Sequence, residues 1–399
     1  NTSRGSLHFI SRSAAANAFS PSRELGLSYI FYNNHFFANQ GVFAENKYND
    51  QPSGYQGMSF GGRWVWRPIN NEDRTFHVGA AFRYANIATG VVENNVLKTE
   101  LDLGSSLETY VDATQDFLSA KLPWAKNVFD VGAEFLYKTD NFFTRGEYMY
   151  KHVTKERDDQ ALFEANLGSI DSWGSLEAWQ KGNPLGENSF HGAYIEAGYK
   201  IFGDPYQYSN SDALLKGLNG RALEVVARYS YTGLNDLVEG EKYIPGRDQY
   251  YPSGILADYP ATSLSVGGGN MHSATLGVNY SFNKFAQVML SYTYNRLDRD
   301  KFQYDKNFHV LQGGIINEKV ITLIAFLIQT KISRLMKVFF AGICLFFSTL
   351  FSCQQKGEDF ESVSADEFAT LIADSDIQRL DVRTVAEYSE EHIPGSINI

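Results

Sequence analysis

The feature that most constrains this chain is apolar–polar alternation, repeated in segment after segment of residues 1–316. Successive side chains of a β-strand point to opposite faces, so a period of two sorts them into two surfaces. Between 76 and 84, Phe76, Val78, Ala80, Phe82 and Tyr84 share one face, and His77, Gly79, Ala81 and Arg83 the other. Between 128 and 138, Phe129, Val131, Ala133, Phe135 and Tyr137 oppose Asp130, Gly132, Glu134 and Lys138. The pattern returns with Ala193, Ile195, Ala197, Tyr199 and Ile201, and again with Leu223, Val225, Ala227, Tyr229 and Tyr231. A hairpin closes the series: Leu276, Val278, Tyr280 and Phe282 reach a tight turn at Asn283 and Lys284, and Ala286, Val288, Leu290, Tyr292 and Tyr294 lead back. Segments of about nine to eleven residues cross a bilayer when tilted.

Two all-β architectures produce such alternation: a soluble sandwich with one buried face, and a transmembrane antiparallel β-barrel with lipid outside and water inside. The second fits better. The apolar faces end in Trp64, Trp66, Tyr199, Tyr229 and Tyr294, while the opposite faces carry charges in mid-strand beside small residues. Aromatics make up 15% of the chain, beside 34 Gly and only 10 Pro, as expected where aromatic girdles mark both membrane interfaces. The mean hydropathy of −0.30 is no objection, because lumen faces and loops are polar. Short turns alternate with long polar stretches, roughly 154–189 and 233–271, which predicts turns on one rim and loops on the other. Both cysteines, Cys344 and Cys353, lie downstream, which suits export to an oxidising compartment. The barrel part holds 28 Lys and Arg against 34 Asp and Glu, and this net of −6 argues against nucleic acid as a partner. An exported barrel needs a signal peptide and Asn1 begins none, so truncation or processing at that end is expected.

Several blocks carry a family resemblance. The run from Arg12 through Asn17, Phe19, Pro21 and Arg23 to Gly26, then Gly41-Val42-Phe43, Gly198-Tyr199, Gly203-Asp204-Pro205-Tyr206, Leu223–Ser230 and His309–Gly313 resemble, in order, the phosphate-selective porin O and P family. That resemblance implies a bacterial outer-membrane barrel of about sixteen strands, usually a homotrimer in outer-membrane lipid, passing small solutes or ions. About thirteen strands can be placed, so the first few are expected to be missing.

Alternation places candidate pore-lining charges on the lumen side: Arg63, Arg67, Arg83, Lys138, Arg145, Lys200 and Arg228, together with Asp130, Glu134, Glu147, Glu196 and Glu224. Anion selectivity needs basic groups at a constriction. Here acids and bases sit within two residues of each other, so paired charges bracing the wall compete with a dedicated ladder for anions such as phosphate. The eight His show no metal spacing, and neither a cofactor motif nor a catalytic triad is present.

The barrel pattern is expected to end near residue 316, with 317–335 a linker. Met336-Lys337, an apolar run from Val338, and Leu350-Phe351-Ser352-Cys353 read as a lipoprotein signal peptide over 336–353, with Cys353 the lipidated residue. Residues 354–399 follow it. Within them Asp381, Arg383, Glu387, His392 and Gly395, in Leu380–Thr384, Glu387-Tyr388 and His392–Asn398, resemble the start of a rhodanese-like α/β domain. The resemblance predicts a short helix over 365–373 and a buried strand over 378–382. Sulfur transfer needs a loop cysteine expected after Ile399, and neither Cys344 nor Cys353 can replace it, so this fragment is expected to be inactive. A signal peptide behind a barrel points to two neighbouring genes joined by a frame error near residue 314. Three functions stay open: an outer-membrane channel, a membrane-attached sulfurtransferase, and a receptor or adhesin working through the long loops.

Overall fold

In the computed structural model the described residues are 8–21, 24–45, 57–87, 101–109, 117–122, 124–163, 174–182, 185–236, 266–283, 285–299 and 306–317, with short strand segments at 92–93, 96–97, 321–328, 379–381 and 396–398. The 365–373 helix, the 336–353 signal, Cys344, Cys353, Arg383, Glu387, His392 and Gly395 lie outside them, as does most of the 233–271 loop. Residues 1–329 form one compact unit and 330–399 another.

The first unit is built on a twelve-stranded antiparallel sheet in which each strand pairs with the next in the chain. Its strands are β1 (Gly26–Tyr32), β2 (Phe36–Ala44), β3 (Met58–Asn70), β4 (Thr75–Asn86), β5 (Ala125–Lys138), β6 (Phe142–Lys155), β7 (Asn188–Phe202), β8 (Ala222–Asp236), β9 (Val266–Asn283), β10 (Ala286–Asp298), β11 (Asn307–Asn317) and β12 (Ile321–Ile328). Among the described residues β1 and β12 are the two edges. The closing hairpin turns at Asn283, whose side chain accepts from the backbone N–H of Phe285 and Ala286 at 2.8 and 2.9 Å.

Burial of the two sheet faces is the reverse of a soluble protein's. Val78, Tyr84, Phe129, Val131, Ile195, Tyr199, Val225, Tyr229 and Leu276 (56% exposed) stand on the outer face, whereas Lys138, Glu196, Lys200, Glu224 (0% exposed), Arg228 and Asn279 are buried on the inner one. Outer rings brace one another across strands, as where Trp64 stacks on Phe82 with centroids 5.3 Å apart. The sheet must curl. One cavity of about 430 Å³ touches Ile30, Phe37, Asn39, Arg63, Ala81, Glu134, Arg145, Glu147, Tyr194, Glu196 and Arg228, drawn from every strand from β1 to β8. Laid flat, eight strands would span about 34 Å at their usual spacing, too far for one such cavity to touch.

The rims are unequal. Successive strands join through short turns at one end, between Tyr32 and Phe36, Asn70 and Thr75, Lys138 and Phe142, and Asn283 and Ala286, and through longer segments at the other. One connection departs from this order: residues 203–221, between β7 and β8, lie on the short-turn rim but fold back under the sheet. Gly203 permits this with φ of 126°, and a Cβ there would stand 2.5 Å from that of Ala222.

Pairing also runs beyond the point where alternation stops. β11 continues to Asn317, and Ile321–Ile328, read from the sequence as linker, pairs with it as a further antiparallel strand. Ladder hydrogen bonds need no alternation of side chains, and Ile-Thr-Leu-Ile-Ala-Phe-Leu-Ile is rich in strand-favouring residues. The sheet therefore has twelve described strands where about thirteen were placed by pattern. In the second unit, Arg379–Asp381 and Ser396–Asn398 form a parallel pair. Parallel neighbours require a crossover between them, as an α/β fragment provides.

Candidate functional site

Three elements fill part of the space inside the curled sheet. The first is residues 8–20, whose helix α1 (Ala14–Phe19) is capped by the Ser13 hydroxyl accepting from the Ala16 N–H at 3.1 Å. Gly192 makes room for it: a Cβ there would lie 2.8 Å from the Phe19 ring and 3.0 Å from Ala15. The second is a hairpin, Leu101–Ser105 paired with Leu118–Leu122, which buries Leu103, Leu118, Ala120 and Leu122 against Met271, Leu297 and Val310 of the inner wall. The third is the folded-back 203–221 segment, whose Tyr206 and Leu215 pack on Leu136 and Phe143. Alternation failed to anticipate the apolar inner positions Leu136 and Phe143 because they face this segment instead of water.

Glu108, just beyond the first strand of the hairpin, ties the first two elements to the wall. It is fully buried. One carboxylate oxygen accepts from the Ala14 N–H at 2.9 Å and the Ser230 hydroxyl at 2.6 Å. The other accepts from Arg228 at 2.7 Å and the Thr275 hydroxyl at 3.1 Å. Its backbone carbonyl takes the Ser11 hydroxyl and, at 2.9 Å, the Gln312 amide. These bonds hold Glu108 in the left-handed region at φ 56°, which costs a non-glycine residue about 1–2 kcal/mol. Arg228 also donates to the Ser11 carbonyl at 2.9 Å and lies 4.4 Å over the Phe9 ring.

The open volume follows a line of charges. At the long-loop end Arg83 meets Glu24, Glu45 and Asp130, and Asp130 also takes Lys151 at 2.5 Å. Inside lies a cavity of about 340 Å³ touching Arg83, Asp130, Arg63, Glu134 and Glu147. The last three, with Ser20, Asn39 and Ala81, also border the 430 Å³ cavity, so their charges stand where the two meet. There Arg63 grips Glu134 through two N–H donors at 2.9 and 2.7 Å, and Glu147 accepts the Tyr194 hydroxyl at 2.7 Å. Deeper in, Arg145 pairs with Glu196, which lies 3.9 Å from Arg228. Towards the short-turn end, Arg67 donates to the carbonyls of Asn33, Phe36 and Asn210, and Tyr208 bonds His77 at 2.8 Å. Burial pushes the Tyr208 hydroxyl up to about 12, so it stays protonated.

The charges picked out by alternation therefore meet different fates. Arg63, Glu134, Arg145, Glu147, Glu196 and Arg228 border the larger cavity, and Arg83 stands nearer the mouth. Lys138 instead donates to the Glu72 carbonyl at 2.6 Å, and Lys200 to that of Asp204. Glu224 is sealed by His8 at 2.8 Å, Tyr206 at 2.5 Å and Asn279 at 2.7 Å. Sequence reasoning passed over Glu108, His8 and Tyr206, whose partners are distant in the chain. The length and the Gly-Asp-Pro start of 203–221 were the signal available for that segment.

The mouth should respond to pH. Glu24 precedes β1, and burial, then the neighbouring Glu45, push it up to about 7 against the pull of Arg83. Because this value exceeds the ordinary 4.5, the fold holds that proton more tightly than the unfolded chain does. The group's contribution to stability is greatest at low pH and falls as pH rises towards 7. Cation preference in planar bilayers should drop between pH 8 and pH 6, and Glu24→Gln should abolish the step. A step of unchanged size in the variant would assign it elsewhere.

The tail matches the rhodanese-like domain family over residues 364–399. No curated protein matches the chain. The family described as phosphate-selective porin O and P matches residues 1–316, which carry all but the last residue of strands β1 to β11 and the whole charged interior, but not β12. With an apolar exterior, a charged interior and that match across most of its length, the chain belongs to the phosphate-selective porin O and P family, and its barrel is that of an outer-membrane porin.

Proposed function

We propose that this porin is a narrow, weakly ion-selective channel for small solutes, and that its lumen is charge-balanced where a phosphate filter would be basic. The observation that carries this reading is the pairing of the strand arginines that border the cavity: Arg63 with Glu134, Arg145 with Glu196, and Arg228 with Glu108. A guanidinium already held by a carboxylate offers little to a passing anion, and opposite charges cancel beyond a Debye length of about 8–10 Å. Arg63, Glu134 and Glu147, which border both cavities, set what preference there is. In a tenfold salt gradient the reversal potential should stay well below the roughly 59 mV of a perfectly selective pore. Glu147→Gln should move it towards anions. Block of chloride current by micromolar phosphate would overturn the balanced reading and restore an anion filter.

The working unit in this reading is a homotrimer, as the family resemblance implies. Residues 336–399 are a separate lipoprotein-type signal and rhodanese-like start, joined to the barrel by a frame error. Sequencing the transcript across codons 305–340 tests this, and one uninterrupted frame together with an intact fused chain by mass spectrometry would refute it.

A further inference from the structure

The outer face carries a polar site that neither transport nor barrel packing uses. On β10 the side chains of Leu290, Tyr292, Tyr294 and Arg296 share the outward face, and Met289, Ser291, Thr293, Asn295 and Leu297 are buried on the other. Arg296 is thus a cation on the lipid side of the wall, exposed and close to the long-loop rim. No carboxylate lies within ion-pair distance of it among the described residues. It stands directly opposite His272 of β9. Both border a cavity of about 610 Å³ whose other walls include Tyr229, Tyr294, Asp298 and Lys306.

The groups around this cavity are arranged as a polar recess at a membrane interface. Tyr229 bonds the Nδ1 of His272 at 2.7 Å, and when that nitrogen accepts, the ring proton sits on Nε2 as a donor. Tyr231 packs on the same imidazole, with centroids 4.9 Å apart. Tyr294 donates to Asn307 at 2.7 Å, and Lys306 meets Asp298 at 3.1 Å in a solvent-exposed pair, weakly held where the lumen pairs of Arg145 and Arg228 are buried. Aromatic rings of this kind belong at the headgroup level of a barrel. An arginine among them, facing lipid and ion-paired with no carboxylate among the described residues although Asp298 borders the same recess, can take an anion at that depth, and a planar guanidinium matches phosphate through two parallel N–H bonds.

We propose that Arg296, His272 and Lys306 form a binding site for the phosphate of an outer-leaflet lipid headgroup, with Tyr229 and Tyr294 as its aromatic walls. The site depends on the barrel's membrane placement and not on what the lumen carries. The full chain in mixed detergent micelles, titrated with lipid A or phosphatidic acid against phosphatidylcholine, should retain the phosphorylated lipids in native mass spectrometry. Each cation removed should weaken retention roughly fivefold. The Arg296→Gln and Lys306→Gln pair should therefore bind more than tenfold less, Arg296→Lys should recover most of the binding, and single-channel conductance should not change. Equal retention by the Gln pair, in protein still showing the heat-modifiable mobility of a folded barrel, overturns the site. So does failure of Arg296→Lys to retain lipid if the Gln pair does not fold. Inorganic phosphate in excess should leave the lipid bound, and competition at equal concentration would mean a free-anion site in place of a lipid one.

Discussion

Replacing Glu108 with alanine should unlock the interior and raise single-channel conductance. The substitution removes four bonds to one buried carboxylate and leaves Arg228, 5% exposed, facing the more distant Glu196. Breaking a buried pair by deleting one partner costs about 3–5 kcal/mol. At about 1.4 kcal/mol per factor of ten, the docked arrangement of residues 8–20 and the 101–122 hairpin loses two to three and a half powers of ten against an undocked one. Relief of the left-handed backbone at position 108 returns little, since alanine there carries a similar penalty. Conductance in planar bilayers and protease cleavage within residues 8–20 are the two readouts, and both should increase. If neither moves while the barrel still assembles, Glu108 is not what holds these elements against the wall.

The second large effect is a contrast between neighbours. Ala80 and Ala81 sit in the middle of β4; Ala80 is exposed on the outer face and Ala81 borders the inner cavity. Lysine at Ala80 would face hydrocarbon near the bilayer midplane, at a cost of about 2–4 kcal/mol. Lysine at Ala81 would enter a cavity already lined by Glu134 and Glu147 and should be tolerated. Assembly into lipid vesicles, read as the fraction of heat-modifiable barrel, should fall by well over tenfold for Ala80→Lys and by little for Ala81→Lys. Equal yields would place the strand one residue out of register, because a slip of one exchanges the two faces.

The same pair of faces shows why sequence reading reached so far in the strands. A side-chain period of two depends only on backbone geometry, so Val78 against Arg83, or Tyr229 against Arg228, can be sorted with no knowledge of neighbours. The identity of the solvent on each side followed from where the charges and rings fell. It failed where one face meets protein instead of water. Leu136 and Phe143 point inward and are apolar because the 203–221 segment covers them. β12 escaped notice for a related reason: its residues do not alternate, yet its backbone pairs.

What the sequence determined by itself is local: strands, their two faces, the unequal rims and the family. What only the tertiary structure decided is which inner charges meet. Glu108 lies 120 residues from Arg228 and 167 from Thr275, and His8 lies 216 from Glu224. Alternation cannot encode such partners, since it states which face a residue occupies and nothing about what folds against that face. Lys138, Lys200 and Glu224 look identical to Arg63 and Glu134 by pattern. They differ because a rim turn (Glu72) or in-folded chain (Asp204, His8, Tyr206) closes over them, while Arg63 and Glu134 still border open space even though Arg63 also reaches the Asp212 and Ala213 carbonyls of the folded-back segment. Curling the sheet and folding three segments into it turned a uniform row of inward charges into a sealed part and an open one.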